Sequence, residues 1–313
     1  MKKQFIYYLV ALFTIAGVIT SCINDDNVDM ENASITMTFS TRANLQMGDG
    51  DSQLADNEEM KTLRVIVARQ NGDVVYNIKT EVQKGETSKT FIFDELTVKA
   101  EGENFDFYAI ANEDGLHFHE DLGFTLDNII TDEQLRKLRC SILGQFPQED
   151  ESIPQTLWST QTVTPSANDN FSMELQFTVV KLTLELINDT TFPQTITDIK
   201  WKNTNAENTS LFPSQSLPEN KKEDIVMPDI TIPSAETLVK SVYVFENQMT
   251  SSFPYSFSAQ WEGERTIDLS KDITKLSRGS ELCIKVHLLN TAVEFGYQVR
   301  DWTEVSINLP EYN

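Results

Sequence analysis

The sequence predicts an all-β protein, built as two β-sandwich domains in tandem with one short helix in the first. Three observations lead there. Apolar and polar residues alternate over short runs, as in strands that bury one face. The runs recur at short spacing with turn residues between them. The chain of 313 residues is longer than one ordinary domain. Its strand-like runs fall into two blocks, separated by a stretch rich in Pro, Gln, Ser and Thr.

The first block opens with Ser34-Ile35-Thr36-Met37-Thr38-Phe39, a strict alternation that puts Ile35, Met37 and Phe39 on one face. Leu63 to Val67 is β-branched and leads into Asn71-Gly72, a strong hairpin-turn signal, and then Val74-Val75-Tyr76. Thr90 to Phe93 is a further strand, and the apolar run Phe105 to Ala111 reads as central and buried. Thr131 to Cys140 reads as a helix: Thr131 with Gln134 makes a capping box, acids follow at once, and Arg136, Lys137 and Arg139 lie near the end. Ser141 to Asn170 reads as a long loop with one short strand around Leu157-Trp158.

The second block starts at Phe171, with Met173, Leu175 and Phe177 alternating and Val179 to Ile187 continuing. In Thr195 to Trp201 the period of two puts Ile199 and Trp201 on one face and Ile196 on the other. Later strands are Val239 to Phe245, Tyr255 to Trp261, Leu282 to Leu289 and Gly296 to Leu309. The expected division is a leader over 1–22, an acidic tether over 23–33, a first domain over 34–170 and a second over 171–313.

Composition narrows the function. With 48 acidic and 25 basic residues the net charge is −23, which excludes nucleic-acid binding through lysine and arginine on phosphates. Apolar residues at 40% are too many for a disordered acidic chain. Three cysteines and three histidines leave little for a zinc site or a disulfide framework, and Cys140 and Cys283 are expected to be free and buried. His117-Phe118-His119-Glu120 has no third ligand at a recognisable spacing. Gly48-Asp49-Gly50-Asp51-Ser52 lacks the register of a calcium loop. No nucleophile elbow, phosphate loop or dinucleotide fingerprint is present. The chain is expected to be a non-enzyme that needs no cofactor and no metal.

The N-terminus carries an address. Met1-Lys2-Lys3 is a basic start, Phe5 to Ile19 is apolar, and Thr20-Ser21-Cys22 follows. That is a secretory signal, short for a membrane-spanning helix. Val18-Ile19-Thr20-Ser21-Cys22 resembles the loose lipobox of Bacteroidetes-type Gram-negatives, which implies a lipid on Cys22 and attachment to the outer membrane. The acidic run from Ile23 to Asn32 resembles the surface-export signal of such lipoproteins.

In order and spacing, several segments together resemble the fimbrillins, the subunits of type V pili. They are Thr36 to Arg42, Leu63 to Val67 with Asn71 to Tyr76, Phe107 to Glu113, Val180-Lys181-Leu182, Val242 to Asn247 and Val299 to Thr303. The resemblance implies two transthyretin-like sandwiches, export as a lipoprotein, and removal of the first strand by an Arg-specific protease. It places the cut between Arg42 and Ala43. It also implies a fimbrium at the cell surface that serves adhesion, with other fimbrial subunits as partners and host or bacterial surfaces as ligands.

The physics of that scheme is readable in the residues. Taking away the strand of Ile35, Met37 and Phe39 leaves unpaired backbone and an apolar groove, a template for another chain. Val305-Ser306-Ile307-Asn308-Leu309 has the same alternation, so Val305, Ile307 and Leu309 are the candidate donor face. Two other readings stay open at this level. One is a pilus anchor that keeps its lipid. The other is a non-polymerising surface lipoprotein that binds through exposed aromatics such as Trp201 or Trp261. Trp302 is expected to pack on the second core.

Overall fold

The computed structural model describes residues 30–41, 58–118, 123–141, 152–165, 168–213, 216–290 and 292–301. The first half contributes β1 (Met30–Thr41), β2 (Thr62–Arg69), β3 (Val74–Glu81), β4 (Ser88–Lys99), β5 (Glu103–Ala111), β6 (His117–Phe118), α1 (Asp132–Arg136), β7 (Arg139–Ser141), β8 (Gln155–Val163) and β9 (Asn168–Phe177). A seven-stranded sheet runs β3-β2-β5-β8-β9-β1-β4. β8 and β9 are joined only at Gln155–Phe177 and Thr156–Gln176. Around that joint the strands form two layers, because one core holds Leu63, Val65, Val67, Phe105 and Phe107 from one side and Ile35, Met37, Phe39, Phe93 and Leu175 from the other. The Asn-Gly turn forms as the sequence predicts. Asn71 takes φ 58°, and Gly72 N donates to Arg69 O at 2.8 Å. A Cβ on Gly72 would sit 3.0 Å from the Arg69 Cβ.

Four expectations change here. Residues 30–33, read as tether, are strand, and Ala33 is buried. The helix stops at Arg136. The capping box of Thr131 and Gln134 is present, but Arg139–Ser141 leaves the helical path to pair with β6. The strand expected around Leu157-Trp158 is present but runs over nine residues, as β8, and its polar residues hid its length. The strand that was to open the second domain, β9, pairs with β1 and β8 in the first sheet. The chain crosses between cores at Thr178, whose N–H and hydroxyl both donate to Pro154 O at 3.0 Å. The boundary therefore lies some residues beyond 170.

The second half contributes β10 (Val179–Asn188), β11 (Gln194–Lys202), β12 (Thr209–Ser210), β13 (Asp224–Met227), β14 (Ile230–Ile232), β15 (Glu236–Phe245), β16 (Asn247–Gln248), β17 (Ser256–Gln260), β18 (Glu264–Asp268), β19 (Lys275–Leu276), β20 (Ser280–Leu288) and β21 (Val293–Asp301). The sheets β15-β10-β20-β21 and β13-β11-β17-β18 face each other across a core of Val180, Leu182, Leu184, Trp201, Phe257, Leu282 and Ile284. Within β11 the register slips between Thr197 and Lys200, and Asp198 takes φ 51°. This bulge resets the alternation, so Ile196 enters the same core as Ile199 and Trp201, against the sequence expectation.

The halves are joined by a third apolar cluster holding Tyr108, Ile110, Leu135 and Ile153 from the first half and Val179, Leu211, Phe212 and Phe245 from the second. β7 of the first half pairs with β12 of the second. Arg278 pairs with Glu246 and donates to the carbonyls of Ser210 and Leu211 at 3.0 Å each, and both charged side chains are only 6% exposed. Lys181 Nζ lies 2.6 Å from Glu58 Oε1. On the first sheet, α1 is tied down by Tyr108 OH donating to Asp132 Oδ1 at 2.5 Å and by Arg136 bridging Asp132 and Asp106 at 2.9 and 2.6 Å. Burial raises the Tyr108 pKa, and the bond to Asp132 adds to it.

Candidate functional site: the β1 slot

β1 is an interior strand. It runs antiparallel to β4 from Met30↔Lys99 to Ser40↔Ser88, and parallel to β9 from Ser34↔Asn168 to Thr41↔Leu175. Among the described residues β4 has no sheet neighbour other than β1. The period of two sends Ala33, Ile35, Met37, Phe39 and Thr41 inward and Ser34, Thr36, Thr38 and Ser40 outward. Ile35, Met37 and Phe39 have no exposed surface at all. Phe39 meets Phe91 edge-on with ring centroids 5.9 Å apart.

The outward face is a row of hydroxyls. Thr38 Oγ1 and Thr90 Oγ1 share a hydrogen bond at 2.9 Å, and Ser34 Oγ donates to Asp94 Oδ1 at 2.7 Å. β4 bulges between its Ala33 and Ile35 partners, where Glu95 takes φ 66°. At the junction end Thr41 N donates to Thr87 O at 3.0 Å.

Burying Ile35, Met37 and Phe39 is worth roughly 1.5–3 kcal/mol each. The ladders on both sides add about 0.5–1.5 kcal/mol per hydrogen bond. A strand held on both edges and one face is an integral part of the core. If it is removed, the inner face and two strand edges open together.

Of the residues singled out in the sequence, the structure brings Ile35, Met37 and Phe39 together in this slot. Cys22, Arg42, Ala43, Val305, Ile307 and Leu309 lie outside the described residues, as do the Gly48–Ser52 segment, His119, Glu120 and Trp302. Ala33 and Thr41, which do not stand out in the sequence, end the inward row and continue its period of two. Trp201, considered as an exposed platform, is fully buried, with its Nε1 donating to Met227 Sδ at 3.4 Å. Trp261 packs partly against the same core and donates to Gln194 Oε1 at 2.9 Å. Cys140 and Cys283 are free and buried as expected. Burial pushes the Cys140 thiol up to about 12 and the Cys283 thiol up to about 11. Among the described residues no group of three or more His, Cys, Asp or Glu is placed to hold a metal. Among the same residues no helix is long and apolar enough to cross a membrane.

No protein-family model and no curated protein sequence matches the chain. Solved structures do. The tip fimbrial protein Mfa3 of Porphyromonas gingivalis, with a C-terminal truncation, superposes with a TM-score of 0.60 at 14% identity, covering 87% of this chain and 100% of that one. A fimbrial assembly protein of Parabacteroides distasonis gives 0.52 at 13%, covering 87% and 99%. A putative cell adhesion protein of the same organism gives 0.54 at 12%, covering 89% and 99%. At such identities the likeness is one of fold. This chain has the all-β, sandwich-built architecture found in fimbrial proteins of Bacteroidetes-type bacteria, over nearly its whole length.

Proposed function

We propose that the chain is a structural subunit of a cell-surface fimbrium of the type V class. It is exported as a lipoprotein on Cys22 to the outer membrane, cut after Arg42 by an Arg-specific protease, and joined to other fimbrial subunits by donor-strand exchange, in the service of adhesion. The observation that carries this reading is the seat of β1. A whole interior strand, with Ile35, Met37 and Phe39 in the core, ends at Thr41, one residue before the arginine. Losing it would open the kind of groove that a strand from another chain fills. The alternating tail Val305, Ile307, Leu309 is the donor face in this scheme, and the fold shared with solved fimbrial proteins supports it.

Two substitutions test the reading. Arg42→Ala should leave the chain folded and lipidated on the cell while fibres containing it disappear. Cys22→Ala should abolish incorporation of labelled fatty acid and release the chain from the outer membrane. Fibres that form normally from the Arg42→Ala chain would contradict the processing step.

A further inference from the structure

We propose that the strand filling the β1 slot comes from a different protein, not from a second copy of this chain. The inference rests on the strand-acceptance reading above and names the partner of that same site.

The slot has five inward positions in sequence: Ala33, Ile35, Met37, Phe39 and Thr41, all buried. They run from small, through two medium-sized side chains, to an aromatic, and end on a hydroxyl. Of the positions between them, Thr36, Thr38 and Ser40 are each paired on both sides, and Ser34 lies between Asn168 of β9 and the β4 bulge. Ser40, for example, is opposite Ser88 of β4 and Glu174 of β9.

The tail of this chain reads Asp301-Trp302-Thr303-Glu304-Val305-Ser306-Ile307-Asn308-Leu309-Pro310-Glu311. Odd shifts turn Ser306 and Asn308 inward, so only even registers bury Val305, Ile307 and Leu309. With these three at Ile35, Met37 and Phe39, a leucine underfills the aromatic position. Pro310 then falls at Ser40 and Glu311 at Thr41, which is only 1% exposed. A proline cannot donate to a ladder inside a sheet, and a carboxylate without a partner does not bury.

Shifting two residues one way puts Asp301 at Ala33 and Thr303 at Ile35. Shifting two the other way puts Pro310 at Thr38 and Glu311 at Phe39. Reversing the strand puts Pro310 at Ser34 and Glu311 at Ala33. Each placement buries an acid, and all but the first also set a proline in an interior strand. The geometry points instead to a donor with a small residue, two aliphatic or thioether side chains and an aromatic at alternate places. Small polar residues would lie between them, with no proline over the span.

The test uses the full chain with a sequence-specific protease site placed between Arg42 and Ala43, folded and then cut. A labelled peptide of residues 33–41 is exchanged into the slot in mild denaturant and challenged with unlabelled competitors. One competitor is the tail peptide 303–313. The other is the same peptide carrying Leu309→Phe, Pro310→Ser and Glu311→Thr. The tail should compete at least ~10-fold more weakly than its triple variant. A difference smaller than tenfold overturns the proposal while leaving strand acceptance intact. If the labelled peptide of residues 33–41 never enters the slot, strand acceptance itself fails, and this proposal with it.

Discussion

At the scale of single residues, the protein depends on fully buried side chains with defined partners. Phe39 is enclosed in the first core against Phe91. Phe39→Ala should cost about 3–5 kcal/mol, read as a fall in the urea midpoint. Thr38→Val removes only an exposed hydroxyl pair with Thr90 and should stay within about 1 kcal/mol. At the junction, Glu246→Ala would strand the buried Arg278 guanidinium and should cost about 3–5 kcal/mol. The two buried thiols give a pH-linked check. Their folded pKa values are raised to about 12 and about 11, so almost no thiolate exists at pH 8. In a Cys22→Ser chain a thiol reagent should label Cys140 and Cys283 only after unfolding, when the thiols return to their ordinary range and ionise. Rapid labelling of the folded chain would show that the thiols are open to solvent.

At the scale of elements, β1 is the piece on which neighbours depend. β4 pairs with β1 and, among the described residues, with no other strand. β2 and β5 pair with each other and with β3 and β8. When β1 is cut away and displaced, amide exchange should speed up along Ser88–Lys99 and stay slow in β2 and β5. Uniform loss of protection would mean that β1 supports the whole sandwich.

This element was legible in the sequence because Ile35, Met37 and Phe39 repeat every second residue between hydroxyls. Its two ends were not, because Ala33 and Thr41 are too small and too polar to stand out. The strand around Leu157-Trp158 was legible, but the full length of β8 stayed hidden for a related reason. Its pairing with β5 depends on backbone bonds from Glu103↔Val163 to Ala111↔Gln155, while Ser159 to Thr162 look like loop residues. In β11 the bulge at Thr197 to Lys200 broke the period that had placed Ile196 on the wrong face. The helix was found by its cap, but its end was not. β7 turns away to meet β6 and, across the junction, β12, and such long-range pairing leaves no local mark.

At the scale of the whole molecule, the two sandwiches share a junction of apolar side chains, a strand pair between β7 and β12 and the Lys181–Glu58 ion pair. Heating should therefore give one cooperative transition for both halves, and two resolved calorimetric peaks would contradict that coupling. The charge of −23 is carried by the whole chain and opposes clumping between copies. Association through strand exchange is governed by groove and ladder, so added salt should change its equilibrium little. On the proposed reading, a severed first strand makes this chain a fimbrial subunit. The most direct measurement is the N-terminal sequence of the protein recovered from sheared surface fibres. The expected chain begins at Ala43. A chain in the fibre that still begins at a lipidated Cys22, with β1 attached, would contradict that reading.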